Sequence, residues 1–407
     1  MTEQVLLRGG RVLDVTTGEH TVQDLGVRDG IVVEPGLVHG APEVDLDGRT
    51  VMFGLWDNHA HSGYRSHDPY AVGYFDSIAG RTVHAGENML MAAGMGVTGL
   101  RTLGEAADID IHWGRAFASG TTLGPRVVPG SNALRTTGGH GTAFPRFHAH
   151  MEQEKVVDGP VEMTRAVREL NEHGAKWVKL LLTGGLYSPH ESVDHVQFTD
   201  EELVAVMAAA ENRGLMAAAH CGGPRTAERF VELGGRSIEH GYALDEQAAE
   251  TLARRGAWLV PTISVTHDEA MMYETGWPQF AIDRALEVAK VHAQSLQLCL
   301  AAGVRIATGA DLNPHGTRLH RELELLEQVG MTRLQVLEAA TVSSRALNKV
   351  GEHTRPEPGA AADLLFVGGD PLEDMRLLRS PDGVMAYGRF LYHPTDPTPR
   401  RPSAITE

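Results

Sequence analysis

The sequence predicts an α/β protein: a (β/α)8 TIM-type barrel with a small β-sandwich domain formed from the N- and C-terminal segments. Three observations carry that expectation. From about residue 51 short apolar runs alternate with helical stretches until about residue 347, the rhythm of parallel strands joined by crossover helices. Residues 1 to about 50, and the stretch after Arg355-Pro356-Glu357-Pro358-Gly359, read instead as short strands and tight turns. The full 407 residues suit a barrel of roughly 250–300 residues and a smaller domain beside it. The expected division is 1–55 with 355–407 for the composite β-sandwich, and 56–354 for the barrel.

In order along the chain, Val5-Leu6-Leu7-Arg8 leads to Gly9-Gly10 and then to Arg11-Val12-Leu13-Asp14-Val15. Asp29-Gly30 separates Leu25-Gly26-Val27-Arg28 from Ile31-Val32-Val33, a strong hairpin signal. Val51 to Trp56 opens the barrel. Seven further runs follow, at Val97–Arg101, Arg126–Pro129, Trp177–Leu182, Leu215–Ala219, Ser237–Glu239, Trp258–Thr262 and Val304–Ala307. Helices are expected around 83–95, 108–118, 161–173, 199–213, 245–255, 281–302, 319–329 and 332–347. Thr199 before Asp200-Glu201-Glu202 is a good helix start, and Gly214, Gly256 and Gly303 are natural stops. The two apolar runs Leu364–Val367 and Val384–Tyr387 return to strands, and the Pro-rich tail from about 394 is expected to be loosely ordered.

Composition excludes several classes. Lys+Arg total 36 against 53 Asp+Glu, a net charge of −17, and such a surface repels phosphate backbones. Two cysteines cannot make a disulfide framework. No apolar run is long enough to span a bilayer, and no basic-then-apolar leader opens the chain, so a cytoplasmic location is expected. A homo-oligomer without nucleic-acid or membrane partners is expected.

The chemistry concentrates at strand ends. His59 and His61, in Asp57-Asn58-His59-Ala60-His61, share a face where the first barrel strand stops. Lys179 lies in the fourth run, His220 ends the fifth, His240 the sixth, and Asp311 follows the eighth. Each has a plain structural alternative when taken singly: a core pair for His220 and Cys221, a strand end for His240, a helix N-cap for Asp311. Six such residues at the catalytic rim of one barrel instead suit one or two zinc ions. The remaining histidines, among them His148, His150, His173, His292 and His353, are expected on surfaces or loops.

These pieces resemble the amidohydrolase superfamily. The matching segments are Asp57-x-His59-x-His61, Val178 to Gly185 around Lys179, Ala219-His220, Ile238-Glu239-His240-Gly241, Gly309-Ala310-Asp311 and the returning Ala362-Asp363-Leu364-Leu365. Within it the chain is similar to the imidazolonepropionase-related branch with metal-dependent Xaa-Pro dipeptidases (prolidases) and ochratoxinase. Thr183-Gly184-Gly185 with Ser188-Pro189, Gly138-Gly139-His140-Gly141 and Pro314-His315-Gly316 carry that finer likeness. Phe53 departs from the usual proline, and Trp56-Asp57-Asn58 is bulkier than the pattern, so an unusual pocket is expected.

The resemblance implies two divalent metal ions, most simply zinc, held by His59, His61, Lys179, His220, His240 and Asp311. Lys179 would carry a carbamate bridging both metals. A metal-bridging hydroxide would attack a small amide, with Asp311 as base and then acid. His140 would stabilise the oxyanion. Tyr242, His315 and Arg135 are candidates for substrate contact. A dipeptide or N-acyl amino acid is the expected substrate class. A cyclic-amide hydrolase or deaminase, a biosynthetic hydrolase of a natural-product amide, and a non-catalytic scaffold remain the alternatives. Cys221-Gly222-Gly223 after His220 lacks the carboxylate usual in deaminases. Residues 142–159 are a candidate lid.

Overall fold

Gly54 is where the backbone leaves one sheet for another. The computed structural model describes residues 4–63, 77–141, 154–188, 191–312 and 315–395. Thr50–Phe53, before Gly54, pairs antiparallel with Leu364–Val367. Leu55–Ala60, after it, pairs in parallel with Val97–Thr102. A side chain at Gly54 would strike Thr98, its Cβ lying 2.1 Å from Thr98 Cγ2. Only glycine lets the two layers approach this closely.

The parallel strands form two sheets. Leu55–Ala60, Val97–Thr102 and Arg126–Val128 make one. The other runs from Glu154–Val156 and Ala133–Arg135 through Trp177–Leu181, Met216–Cys221, Ser237–His240 and Trp258–Val260 to Arg305–Ile306. All eight expected runs are strands. The two short pieces at 133–135 and 154–156 add to them. No continuous closed ladder occurs among the described residues. Single hydrogen bonds do span both seams: Lys176 N donates to Pro129 O at 2.7 Å, and Asn58 N donates to Thr308 O at 2.9 Å. The arrangement is consistent with a TIM-type barrel.

Helices follow the strands as the periodicity requires. They include Ile78–Gly94, Ile109–Ser119, Gly159–His173, Asp200–Glu211, Glu246–Arg255, Gln279–Ala301 and His315–Gln328. Thr199 and Glu202 form a reciprocal capping box, and Gly256 closes its helix in the left-handed region. The expected helix at 332–347 is interrupted by a π-helical turn, Ala339–Ser343. There Ser344 Oγ donates back to Ala339 O while accepting from Asn58 Nδ2, at 2.6 Å each. The helix Pro224–Glu232 is not among those expected from the sequence. Pro224 sits in its first turn, where a missing N–H costs nothing.

The two chain ends meet in one eight-stranded sheet. This pairing does not by itself resolve into the two layers of a sandwich. Asp29 and Gly30 both have positive φ and turn the expected hairpin. Gly9-Gly10 is not a turn: Gln4–Leu13 runs through it as one bulged strand. The bulge lets the strand pass Val51 and Leu46, whose methyls would lie 2.7 and 2.9 Å from a Cβ at Gly10.

Arg101 crosses the inside of the parallel set. It donates to Asn58 O on one strand and to Ser237 Oγ and Glu239 on another, and its guanidinium lies 4.4 Å from the Trp177 ring. Gly99 makes room nearby for Trp56, whose indole would be 2.1 Å from a Cβ there. Gly99→Ala is therefore expected to lower stability by about 1–3 kcal/mol through overpacking. Urea unfolding checks this; an unchanged midpoint would show that Trp56 relaxes freely.

Candidate metal centre and its surroundings

The ladder registers bring the expected ligands to one rim. Leu181 pairs with His220, and Cys221 with His240, so each successive strand delivers its histidine slightly further along. Asp311 N donates to His59 O at 2.8 Å, bringing the eighth segment against the first. His240, Thr262 and Asp311 all have positive φ, a costly conformation for residues with a Cβ. Buried bonds hold the first of these turns. His292 Nε2 lies 2.9 Å from His240 O, and Ser295 Oγ donates to Gly241 O at 2.6 Å. His292 is thus buried on Gln279–Ala301, not at the surface as expected. Its position on the inner face of that long helix decided the matter. His173 is exposed, and His148 and His150 lie outside the described residues.

His59, His61 and Asp311 form one group, with a ligand atom of each within 4.8 Å of the others. Asp311 Oδ1 is 3.2 Å from His59 Nε2 and 3.1 Å from His61 Nε2. Lys179 Nζ is 3.2 Å from His59 Nε2. His240 packs 5.0 Å from His59 and 4.4 Å from His220, ring centre to ring centre.

Three of the four imidazoles are hydrogen-bonded at one ring nitrogen, and the fourth, His59, has a carboxylate oxygen close to its Nδ1. His59 Nδ1 faces Glu239 Oε2 at 3.0 Å, and His61 Nδ1 faces Gly104 O at 3.2 Å. His220 Nε2 meets Gly184 O at 3.1 Å. His240 Nδ1 meets Thr262 Oγ1 at 2.6 Å, and that hydroxyl in turn donates to Pro261 O. Metal-binding histidines are typically anchored this way, because the outer acceptor fixes tautomer and ring angle. The donor set therefore fits a divalent metal. His59, His61, His240 and Asp311, with His220 and Lys179, are the residues that could hold it.

Electrostatics agree with that fit. Burial first, then neighbouring positive charge, holds His59, His220 and His240 well below the ordinary histidine range. They are neutral, as ligation requires. Burial also pushes Lys179 down to about 8, although Glu239 and Asp311 oppose it. Burial alone would raise Asp311, but His59, His61 and Lys179 draw it below the usual carboxylate range.

The other candidates occupy distinct places. Tyr242 stacks on His240 at 5.0 Å and is buried. His140 stacks on His220 at 4.2 Å, its Nδ1 2.7 Å from Glu191 Oε2. His315 is fully buried, with Nδ1 3.2 Å from Asp57 Oδ2, and Arg135 is buried at the end of Ala133–Arg135. Most of the candidate lid lies outside the described residues; Glu154–Val156 within it is an edge strand. Glu239, Glu191 and Thr262 escape sequence reasoning. Glu239 stands in the matching segment Ile238-Glu239-His240-Gly241, but nothing in the sequence gives it His59 or Arg101 as a partner.

Residues 50–391 match the model of the amidohydrolase family. Among characterised proteins the chain is 28% identical over 358 residues to ochratoxinase of Aspergillus niger, covering 82% of this chain and 73% of that one. It is also similar to a solved Xaa-Pro dipeptidase with methionine bound in its active site. That likeness has 27% identity and a TM-score of 0.86, over 96% of this chain and all (100%) of the other. A prolidase complexed with N-methylphosphonate-L-proline gives 28% identity and a TM-score of 0.87, over 96% and 100%. With anchored imidazoles at the strand ends and a family match over most of its length, this chain belongs to the amidohydrolase family.

Proposed function

We propose that this protein is a binuclear metal-dependent hydrolase that cleaves the amide bond of a dipeptide, N-acyl amino acid or similar small amide. The observation that carries the reading is the set of four imidazoles around Asp311 and a buried Lys179, three of them hydrogen-bonded to a protein acceptor and the fourth beside Glu239. The named activities of the prolidase, the Xaa-Pro dipeptidase and ochratoxinase support the substrate class. In this reading residues 56–354 form the catalytic barrel, and 1–55 with 355–407 form the composite β-sandwich. The partner is a small amide or peptide, and the protein works as a homo-oligomer in the cytoplasm. Among the described residues no helix is long and apolar enough to cross a membrane.

His59, His61 and Asp311 would hold one zinc, and His220 and His240 the other, with a carbamate on Lys179 as a further ligand. When bound, the metals supply Lewis-acid activation of water and of the scissile carbonyl. The residues do the rest. Asp311, 3.1 Å from His61, takes the proton of the attacking water and passes it to the leaving amine. His140 donates to the developing oxyanion. Tyr242 offers an apolar ring beside the reacting carbonyl, and Arg135 and His315 complete the candidate substrate contacts. Carbamate formation needs the neutral amine of Lys179, which predominates as pH rises through about 8.

Metal-loaded protein should hydrolyse members of a panel of dipeptides and N-acyl amino acids. Asp311→Asn should lower kcat by about 10²–10⁴-fold while substrate binding persists; inertness of the loaded wild type towards the whole panel would overturn the hydrolase reading. Protein reconstituted with ¹³C-hydrogencarbonate should show a carbamate carbon signal by NMR, and at a fixed concentration of dissolved carbon dioxide its loading should rise as pH approaches about 8. Lys179→Ala should lose both that signal and one metal; retention of full metal content would remove the lysine from the site. Glu239→Gln should weaken metal affinity about 10- to 100-fold, read by competition with a chelator, and wild-type affinity there would mean His59 needs no carboxylate behind it.

A further inference from the structure

We infer that Glu191 is a positioning residue for catalysis: its carboxylate holds the Nδ1–H of His140 and leaves Nε2 as the nitrogen that meets the substrate. This deepens the proposed hydrolase reading and rests on it. Glu191 lies beyond the strand that carries Lys179, in no motif singled out from the sequence. Its Oε2 is 2.7 Å from His140 Nδ1 and accepts from Gly185 N at 2.8 Å. Against the effect of burial, His140 and Gly185, with Ser188 nearby, help to keep the carboxylate below the usual range. A carboxylate oxygen held by two donors is a fixed point, not a solvated surface charge.

The surrounding loop is built to keep that point still. Arg284, on Gln279–Ala301, donates to the carbonyls of Gly185, Leu186 and Ser188 at 3.1, 3.0 and 2.7 Å. One guanidinium nitrogen thus ties three carbonyls of this loop to a long helix. Gly184 and Gly185 are both required by close approach. A Cβ on Gly185 would sit 2.1 Å from His140 Cε1, and one on Gly184 would sit 2.4 Å from Ser192 O. The imidazole of His140 therefore lies against bare backbone on one side and the His220 ring, 4.2 Å away, on the other. Stacking fixes the ring plane; Glu191 decides which nitrogen points back into the loop. An imidazole held only by stacking could turn over and present the wrong nitrogen. The same loop anchors His220 through Gly184 O, so one clamped segment aligns a ligand and an oxyanion donor together.

The test uses the full-length, metal-loaded protein and variants Glu191→Ala, Glu191→Gln, His140→Ala and the double Glu191→Ala/His140→Ala. His140→Ala is expected to lower kcat about 10²-fold with little change in KM. Glu191→Ala should lower kcat about 10-fold or more, again with KM little changed, and Glu191→Gln should recover part of the loss. Because the two residues act as a unit, the double variant should match His140→Ala alone. Independent effects that multiply, or loss of metal from Glu191→Ala, would overturn the assignment. A second readout does not depend on turnover. In ¹⁵N-histidine NMR, with the signal assigned by its absence from His140→Ala, wild-type His140 should be protonated at Nδ1 and Glu191→Ala should lose that preference. An unchanged His140 signal in Glu191→Ala would sink the inference even if the enzyme is active. An inert wild type with the expected signal would sink only the hydrolase reading.

Discussion

A carboxylate with no exposed surface lies between a guanidinium and an imidazole, and much of the molecule depends on it. Glu239 accepts two hydrogen bonds from Arg101 and faces His59 Nδ1. Arg101 belongs to the second parallel strand, His59 to the first and Glu239 to the sixth. Their contact therefore bears on the interior spacing of the parallel set and on the angle of a candidate ligand at once. Buried charges of this kind are weak evidence for stability, because desolvation offsets most of the attraction. Their value here is geometric. The indole of Trp177 beneath Arg101 and the hydroxyl of Ser237 beside it leave the guanidinium one place to lie.

The same logic extends outward. Three left-handed residues at strand ends, His240, Thr262 and Asp311, cost conformational energy that an unconstrained chain would avoid. They persist because the neighbouring elements over-determine them. His292 and Ser295 hold the His240-Gly241 turn from one long helix. Glu322, kept up to about 8 by burial, receives Ile263 N and Ser264 N just after Thr262. Asp57 Oδ1 accepts from His59 N and Ala310 N, linking the first ligand strand to the last. The rim is a rigid frame, and such preorganisation is what catalysis by fixed groups requires.

The long helix Gln279–Ala301 unites these features. It supplies His292 and Ser295 to one ligand turn and Arg284 to the loop behind another. On its inner face lies an apolar cluster containing Leu186, Tyr242, Met272 and Ile282, apart from the main core. Packing there joins the helix to the region beside the candidate ligands. Ligand geometry and the surrounding apolar wall are thus set by the same element.

Periodicity and spacing in the chain determined the alternation of strand and helix, the eight parallel runs, and the residues able to bind metal. Those features are local: a hydrophobic run of strand length, a capping Thr199, a histidine or aspartate where the run stops. Resemblance then supplied their shared purpose. Tertiary structure alone decided what stands behind each ligand. Glu239 looks like an ordinary strand carboxylate, and Glu191 like a loop charge, until distant segments fold against His59 and His140. His292 looked like a surface histidine because helical spacing does not say which face will be covered. Gly9-Gly10 read as a turn because a bulge and a turn share the same residues. In each case the missing information was a partner far away in sequence, and only folding sets that distance.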